Sequence, residues 1–426
     1  MLDIKFIRQN PEKVKEGCQA KRVKVDIDQL LKVDEKRREI LKILESIRFQ
    51  KNKASKKIAQ AKEIEKQSII SELKKLDKKS NKLNQALREL DLQFKDLIFQ
   101  IPNLPAEEVP IGKDERENII LREVGEKPKF DFSPKDYLEL AEKLDLIDIK
   151  RAAKIVGSRF SYLKNEAVLL EFALINFTFE KLLKEGFISV IPPVMMKTEV
   201  MKGMGYLEQT DFQEAYYLPK DDLFLAGTAE QPIGAMHTNE IFDEKELPKR
   251  YLGFSSCFRR EAGSWGKETW GIFRVHQFDK IEMFSFCQPE NSKKEHQFFL
   301  EIEEKLMQAL KIPYRVVQIC TGDLGFPVAA KYDIEAWMPS KNEYKETHST
   351  SNCTDFQARR LNIRYRDKER KLHFVHTVNG TAFAIGRTLI AIIENYQQKD
   401  GSIKIPEVLV KYLGFKEIKR LVQKIS

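Results

Sequence analysis

Metal-ligand spacing is missing from this chain. Its five cysteines, Cys18, Cys257, Cys287, Cys320 and Cys353, stand far apart with no Cys-x-x-Cys pair. That pattern gives no zinc signature and fits reduced thiols. Neither G-x-x-x-x-G-K-[ST] nor G-x-G-x-x-G occurs, and H-E-x-x-H and G-x-S-x-G are also absent. Any phosphate site must therefore be built in another way. The opening MLDIKFIRQNPEK has no apolar signal core, and no uncharged apolar run reaches the ~18 residues of a membrane span. No membrane partner is expected, and the expected compartment is the cytoplasm. There is no internal repeat and no low-complexity segment. The first hundred residues hold a single glycine, Gly17, and no proline after Pro11.

What is present divides into two regions. A chain of 426 residues with 42% hydrophobic and 33% charged content has ample material for two or three domains. Its net charge of +9 permits a polyanionic partner without requiring one. From Val33 an apolar frame runs through Ile40, Leu44, Ile47, Ala54, Ile58 and Ala61, interrupted by Arg37 and Lys51. A second runs Ile69, Leu73, Leu76, Ser80, Leu83, Leu87, Leu90, Phe94, Leu97. Steps alternating between three and four keep one narrow stripe facing a partner helix. The expectation is an antiparallel coiled-coil hairpin over about 30–100, with its tip near Ile64 to Ser68 and Ser68 as the second helix's start signal. Each helix would reach roughly 50 Å at ~1.5 Å per residue.

Lysines crowd the exposed faces near the expected tip: Lys51, Lys53, Lys56, Lys57 and Lys62, then Lys74, Lys75, Lys78, Lys79 and Lys82. Such an arm suits a phosphate backbone, although lysines on a long helix also serve simply to solvate it. Pro102, Pro105 and Pro110 end the hairpin. The domain boundary is therefore placed at 1–110 and 111–426. From about Asp131 glycines, aromatics and β-prone runs such as 187–191 and 315–319 appear. This region reads as α+β with a mainly antiparallel sheet flanked by helices.

The densest chemistry lies in CFRREAGSWGKETWGIFRVHQFDKIEMF. On a strand, Arg259 and Glu261 would share a face, with Arg260 on the other. An arginine can fork onto a phosphate, and a carboxylate can accept from an adenine amino group. Gly263, Gly266 and Gly271 would let the chain fold back, so that strand alternation resumes from Ile272. Phe278 offers a stacking plane, with Glu282 beside it. A charged surface hairpin is the plain alternative. Glu346-Thr347-His348-Ser349 sets a carboxylate and a hydroxyl three apart; oxygen ligands of this kind suit Mg²⁺, and a turn motif is the competing reading. Arg387 at the start of a helix from Thr388 is electrostatically odd, because a helix N-terminus prefers anions. Gly227-Thr228-Ala229-Glu230 would present a hydroxyl and a carboxylate on one side of a strand.

In this order, these segments resemble the class II aminoacyl-tRNA synthetases, and specifically seryl-tRNA synthetases of bacterial type. The resemblance covers essentially the whole chain. MLDIKFIRQNPEKV is similar to the family's N-terminus and the hairpin to its tRNA-binding arm. Gly186-Phe187 through Pro192-Pro193 resembles the first class motif, Phe258 to Phe278 the second, and Gly386-Arg387 with its helix the third.

The resemblance implies ATP-dependent attachment of L-serine to tRNA(Ser), and to tRNA(Sec) where one exists, through a seryl-adenylate. It implies a serine site at Thr228, Ala229, Glu230, Arg259, Glu282 and Thr381. Within it, Thr228 and Glu230 contact the ammonium, and Glu282 and Thr381 take the hydroxyl. It implies an ATP site at Arg259, Arg260, Glu261, Val275, Phe278, Glu346, Thr347, His348, Ser349 and Arg387. There Glu261 reads the adenine amino group, and Phe278 and Arg387 sandwich the ring. Mg²⁺ is carried on Glu346 and Ser349, no zinc is implied, and the chain forms a homodimer through the first motif. Lys51, Lys53, Lys56 and Lys57 belong to the tRNA arm.

Three residues depart from the family pattern: Trp270 where a basic residue is usual, Arg260 for a small serine, and Thr381 where serine is also common. Two other readings stay open on the residues alone. One is a class II paralogue that loads an amino acid on a carrier protein. The other is a catalytically dead relative that binds RNA.

Overall fold

The computed structural model describes residues 1–58, 62–207, 211–262 and 271–419. Ala61 of the first apolar frame and Gly263, Gly266 and Trp270 fall outside the described residues. The chain forms two compact units, Met1–Pro102 and Asn103–Ser426.

The first unit opens with two short helices, α1 (Ile4–Gln9) and α2 (Pro11–Ala20), followed by α3 (Ile27–Ile58) and α4 (Glu63–Phe99). The second long helix begins five residues before Ser68, so the expected tip at 64–68 is itself helical. Glu65 in its first turn favours that start, since a carboxylate complements the exposed N–H groups there. Every described position of the two apolar frames is buried or half-buried, while Lys53, Lys56, Lys57, Lys74, Lys75, Lys78, Lys79 and Lys82 are exposed. The two frame breaks prove to be cross-helix ion pairs. Arg37 Nη2 lies 2.5 Å from Asp91, and Lys51 Nζ 2.5 Å from Asp77. Both pairs advance by fourteen residues in opposite directions, which is two heptads of an antiparallel seam. The Arg37 guanidinium also sits 4.1 Å over the Phe94 ring.

The second unit is built on an eight-stranded sheet. Its strands are β1 (Ile119–Val124), β2 (Ile188–Val190), β3 (Lys249–Phe258), β4 (Gln277–Cys287), β5 (Tyr314–Gln318), β6 (Ala330–Met338), β7 (Glu343–Thr354) and β8 (His376–Ala384). Their order is β1-β5-β6-β7-β8-β4-β3-β2. Every neighbour is antiparallel except β2, which runs parallel to β3. The helices that matter for the site are α5 (Glu166–Leu182), α6 (Glu230–Ala235), α7 (Ser292–Ala309), α8 (Phe356–Leu361) and α9 (Ile385–Asn395).

Period-two alternation gives the sheet two faces with different duties. On β4, Ile281 and Met283 join a core with Leu170 and Phe177 of α5, Phe299 and Leu306 of α7, and Leu389 of α9. Phe299 is fully buried, and truncating such a ring costs about 3–5 kcal/mol. Phe278, Lys280 and Glu282 point to the other face, where a cavity opens.

Four local expectations are corrected. β3 ends at Phe258, so Arg259 and Glu261 share no strand face; Glu261 has φ +49°, a left-handed backbone conformation. Residues 272–276 are irregular, and β4 starts only at Gln277. Thr228 lies in a turn rather than a strand, and Glu230 opens α6. Helix α9 begins at Ile385, so Arg387 lies within its first turn.

Candidate active site

The cavity has a volume of about 500 Å³ and lies over β4, β7 and β8. Its wall gathers Thr228, Glu230, Arg259, Glu261, Val275, Phe278, Glu282, Glu346, Thr347, Ser349, Thr381 and Arg387. These residues span 160 positions in sequence, and the sheet order brings them together. Three expected site residues stand outside the wall. Ala229 is buried in an apolar cluster with Ile233 and Phe284. Arg260 is exposed and lies 5.0 Å over the Tyr216 ring. His348 is buried on the helix-covered face, 5.4 Å from the Phe383 ring. On the arm, the Lys51 ammonium is engaged by Asp77.

Two register shifts shape the floor. On β7, His348 pairs with Ile334 but Glu346 pairs with Glu335, so Thr347 is an extra residue. A bulge reverses the alternation. That is why Glu346 and Ser349, three apart, both reach the cavity. On β8 the same device occurs at Ala382, and Thr381 becomes the direct cross-strand partner of Glu282.

Two buried carboxyls line the cavity. Glu282 is almost fully buried, with Lys280 Nζ 2.6 Å from its Oε2. Glu230 is held from behind: Tyr206 Oη donates to it at 2.5 Å and Gln357 Nε2 at 2.9 Å. Thr377 Oγ1 donates to Gln357 Oε1 in turn, at 2.6 Å. Burial raises the proton affinity of both carboxyls; the hydrogen bonds to Glu230, and Lys280 beside Glu282, work against it.

Two arginines line the same cavity. Arg259 Nε donates to Gly227 O at 3.0 Å, and its guanidinium stands 5.3 Å over the Phe278 ring. Arg387 Nη1 reaches Glu346 Oε2 at 3.1 Å, and its plane lies 4.7 Å over the Phe273 ring. The carboxylate of Glu346 thus accounts for an arginine in a first helical turn. Burial alone would raise Glu346, but Arg387 and Lys331 outweigh it and hold the group down at about 2. It is ionised at neutral pH. Arg274 Nη1 lies 3.4 Å from Glu261 Oε2. Lys331 Nζ lies 3.1 Å from Asp333.

Several cavity groups escaped the sequence reading. Lys280 was accessible through its alternation with Phe278 and Glu282. Phe273, Lys331 and Tyr206 carry no motif and no spacing signal, and neither does Gln357 behind Glu230.

A pocket that gathers buried carboxyls suited to an amine and a hydroxyl, arginines suited to phosphates, and aromatic planes fits a site that joins an amino acid to a nucleotide. Residues 216–396 match the family model of the tRNA synthetase class II core domain (G, H, P, S and T). Residues 1–105 match the seryl-tRNA synthetase N-terminal domain.

A serine–tRNA ligase of Dictyoglomus turgidum is 46% identical over 98% of this chain and 99% of its own length. One from Pyrococcus horikoshii is 44% identical over 98% and 97%. The crystal structure of the Pyrococcus horikoshii seryl-tRNA synthetase complexed with ATP superposes with a TM-score of 0.91 at 42% identity, covering 99% of this chain and 100% of that one. A cytoplasmic serine–tRNA ligase of Naegleria fowleri in complex with AMP gives 0.87 at 34% identity, covering 99% of each. The chain belongs to the seryl-tRNA synthetase family.

Proposed function

We infer that the chain uses ATP to attach serine to tRNA, by way of a seryl-adenylate. The observation that carries this is a single cavity whose wall gathers the buried carboxyls of Glu230 and Glu282 together with Arg259 and Arg387. The serine carboxylate attacks the α-phosphate of ATP, pyrophosphate leaves, and a ribose hydroxyl of the tRNA end then takes the acyl group. No side-chain nucleophile is needed. The protein's part is to hold two reactants in line and neutralise charge.

Glu230 and Thr228 are assigned the serine amine, and Glu282 with Thr381 is assigned the serine hydroxyl. A buried acceptor beside a hydroxyl rewards a substrate OH, because alanine would leave both unpaired. Arg259 serves the serine carboxylate and α-phosphate. Phe278 and Arg387 flank the adenine ring, Glu261 accepts from its amino group, and Val275 lies against the nucleotide. Ala229, Arg260 and His348 lie outside the wall, so any part they take in these sites is through the backbone or through neighbours.

Mg²⁺ would be held by Glu346 and Ser349. The fit rests on an ionised carboxylate and a hydroxyl on one face of β7. A bound Mg²⁺ would neutralise phosphate charge.

The exposed Lys53, Lys56 and Lys57 favour contact of the arm with tRNA(Ser), and with tRNA(Sec) where one exists. A homodimer is supported by large apolar side chains left exposed in and before the first motif: Phe172 is 58% exposed and Ile191 81%, with Leu169 and Ile188 also exposed. Among the described residues no helix is long and apolar enough to cross a membrane. All five cysteines are free and buried, which favours a reducing compartment such as the cytoplasm.

ATP–pyrophosphate exchange across serine, threonine, alanine and glycine tests the reading. Serine is expected to drive exchange most strongly. Equal exchange with alanine would overturn the specificity assignment.

A further inference from the structure

We infer that Arg159 is a positioning residue: from outside the cavity wall it fixes the backbone of Glu261 and so governs selection of adenine over other purines. This rests on the assignment of Glu261 to the adenine amino group.

The β3–β4 ladder is extended by one pair beyond Phe258 and Gln277. The Arg259 N–H donates to His276 O at 3.0 Å, and His276 Nδ1 lies 3.0 Å from Arg259 O. Two residues further, Glu261 sits at φ +49°. A residue with a side chain is uncommon in that left-handed region and keeps it only where its neighbours hold it. Two arginines do so. Arg274 Nη1 lies 3.4 Å from the Glu261 carboxylate, but the Arg274 side chain is 39% exposed and the pair is partly screened. Arg159 Nη1 instead donates to the Glu261 carbonyl at 2.9 Å. A charged donor makes this one of the stronger kinds of hydrogen bond. It fixes the rotation of the Glu261 backbone, and with it the direction in which the side chain leaves the chain.

Arg159 grips the chain entering β4 as well. Its carbonyl accepts from the His276 N–H at 3.0 Å, and the neighbouring Phe160 ring lies 5.3 Å from the His276 ring. Arg159 is itself left-handed, at φ +61°. In that conformation its guanidinium bonds to the chain leaving β3 and its carbonyl to the chain entering β4. The entering segment carries Val275 and Phe278, which are assigned to the nucleotide along with Glu261. The carboxyls assigned to serine are braced by other groups: Glu230 by Tyr206 and Gln357, Glu282 by Lys280. Loss of the Arg159 side chain should therefore weaken ATP far more than serine.

The test is R159N on the full chain. Asparagine tolerates a left-handed backbone, so the carbonyl bond to His276 is kept, and it is too short to reach Glu261. The readout is serine-dependent pyrophosphate exchange with ATP and with inosine triphosphate, which carries a carbonyl in place of the adenine amino group. R159N is expected to lower kcat/KM for ATP about tenfold, mainly through KM, and for inosine triphosphate by less than about twofold, with KM for serine held within about twofold. In an E261G background, which removes the carboxylate without backbone strain, R159N should change the ratio between the two nucleotides by less than about twofold. Thermal melting reports folding. If R159N melts below the assay temperature, R159G, which suits a positive φ, is read by the same criteria. An unchanged nucleotide ratio in R159N, or a KM for serine that rises as far as that for ATP, overturns the proposal. Equal exchange with both nucleotides in the unmodified chain would separate Glu261 from adenine and end the proposal with it. Absence of any serine exchange would overturn the functional reading itself, and this proposal with it.

Discussion

The arm and the catalytic unit are stabilised by different kinds of regularity. Along α3 and α4 of the first unit a residue's environment follows from its position modulo seven within its helix. The stripe faces inward, the lysines face outward, and even the two charged breaks pair at a spacing of two heptads. In Asn103–Ser426 the decisive features are exceptions to a repeat. A bulge at Thr347 and another at Ala382 decide which side chains face the cavity. A repeat is a local property that a sequence displays directly. A bulge depends on which strand lies alongside, so it is decided by pairing across the sheet.

The sharpest way to break this contrast is at the exceptions. Glu282→Ala removes the acceptor that the β8 bulge sets opposite Thr381, and serine-dependent exchange should fall at least about 1000-fold while ATP binding persists. Exchange within tenfold of the unmodified chain would separate Glu282 from serine.

Reversing charge on the arm with K53E/K56E/K57E should lower kcat/KM for tRNA charging roughly 10–100-fold, with steeper loss at low salt, and leave pyrophosphate exchange unchanged. Equal loss of both activities would mean that the two units do not divide the labour.

Glu303 of α7 sharpens the comparison on the stability side. It is fully buried, and neither carboxylate oxygen has a hydrogen-bond partner. It sits beneath Gly380: a Cβ there would come within 2.9 Å of Glu303 Oε1. Burial, then the charges of Asp333 and Glu282, push its proton affinity well up. The fold therefore holds it neutral, whereas the unfolded chain ionises it above its ordinary range. As pH rises through that range toward the raised folded value, ionisation increasingly favours the unfolded state. Glu303→Met should raise stability by about 1–3 kcal/mol near pH 7–8, with the gain shrinking toward pH 4. Melting curves at both pH values check the sign.

The smallest expected effect is on the seam. Asp77→Asn should cost at most about 0.5–1 kcal/mol, since Asp77 and Lys51 are both partly solvated. It should leave adenylate formation untouched. A loss above 2 kcal/mol would show the frame break to be a register lock rather than a surface pair.

The sequence by itself determined the arm almost completely, because a coiled coil is written in the spacing of Leu73, Leu76, Ser80 and Leu83. Its one error there, starting the second helix at Ser68, came from trusting a cap signal over continuity of a helix that opens at Glu63. It also singled out Arg259, Glu282 and Arg387, whose chemistry is unusual enough to stand out without a partner, while Thr381 was marked only by the family resemblance. It misjudged the local geometry around them. Glu261 was read on a strand face and lies in a left-handed turn, and Thr228 was read on a strand and lies ahead of a helix.

Only the tertiary structure decided that Glu346 and Ser349 share a face, that Glu346 answers Arg387, and that Gln357 braces Glu230 from 127 residues away. Lys280 shows the division most clearly. Its alternation with Glu282 is legible in the sequence, but its bond to Thr228, 52 residues back, exists only because a turn is folded over the sheet. Spacing along a chain encodes direction, whereas partnership across it depends on where the rest of the chain goes.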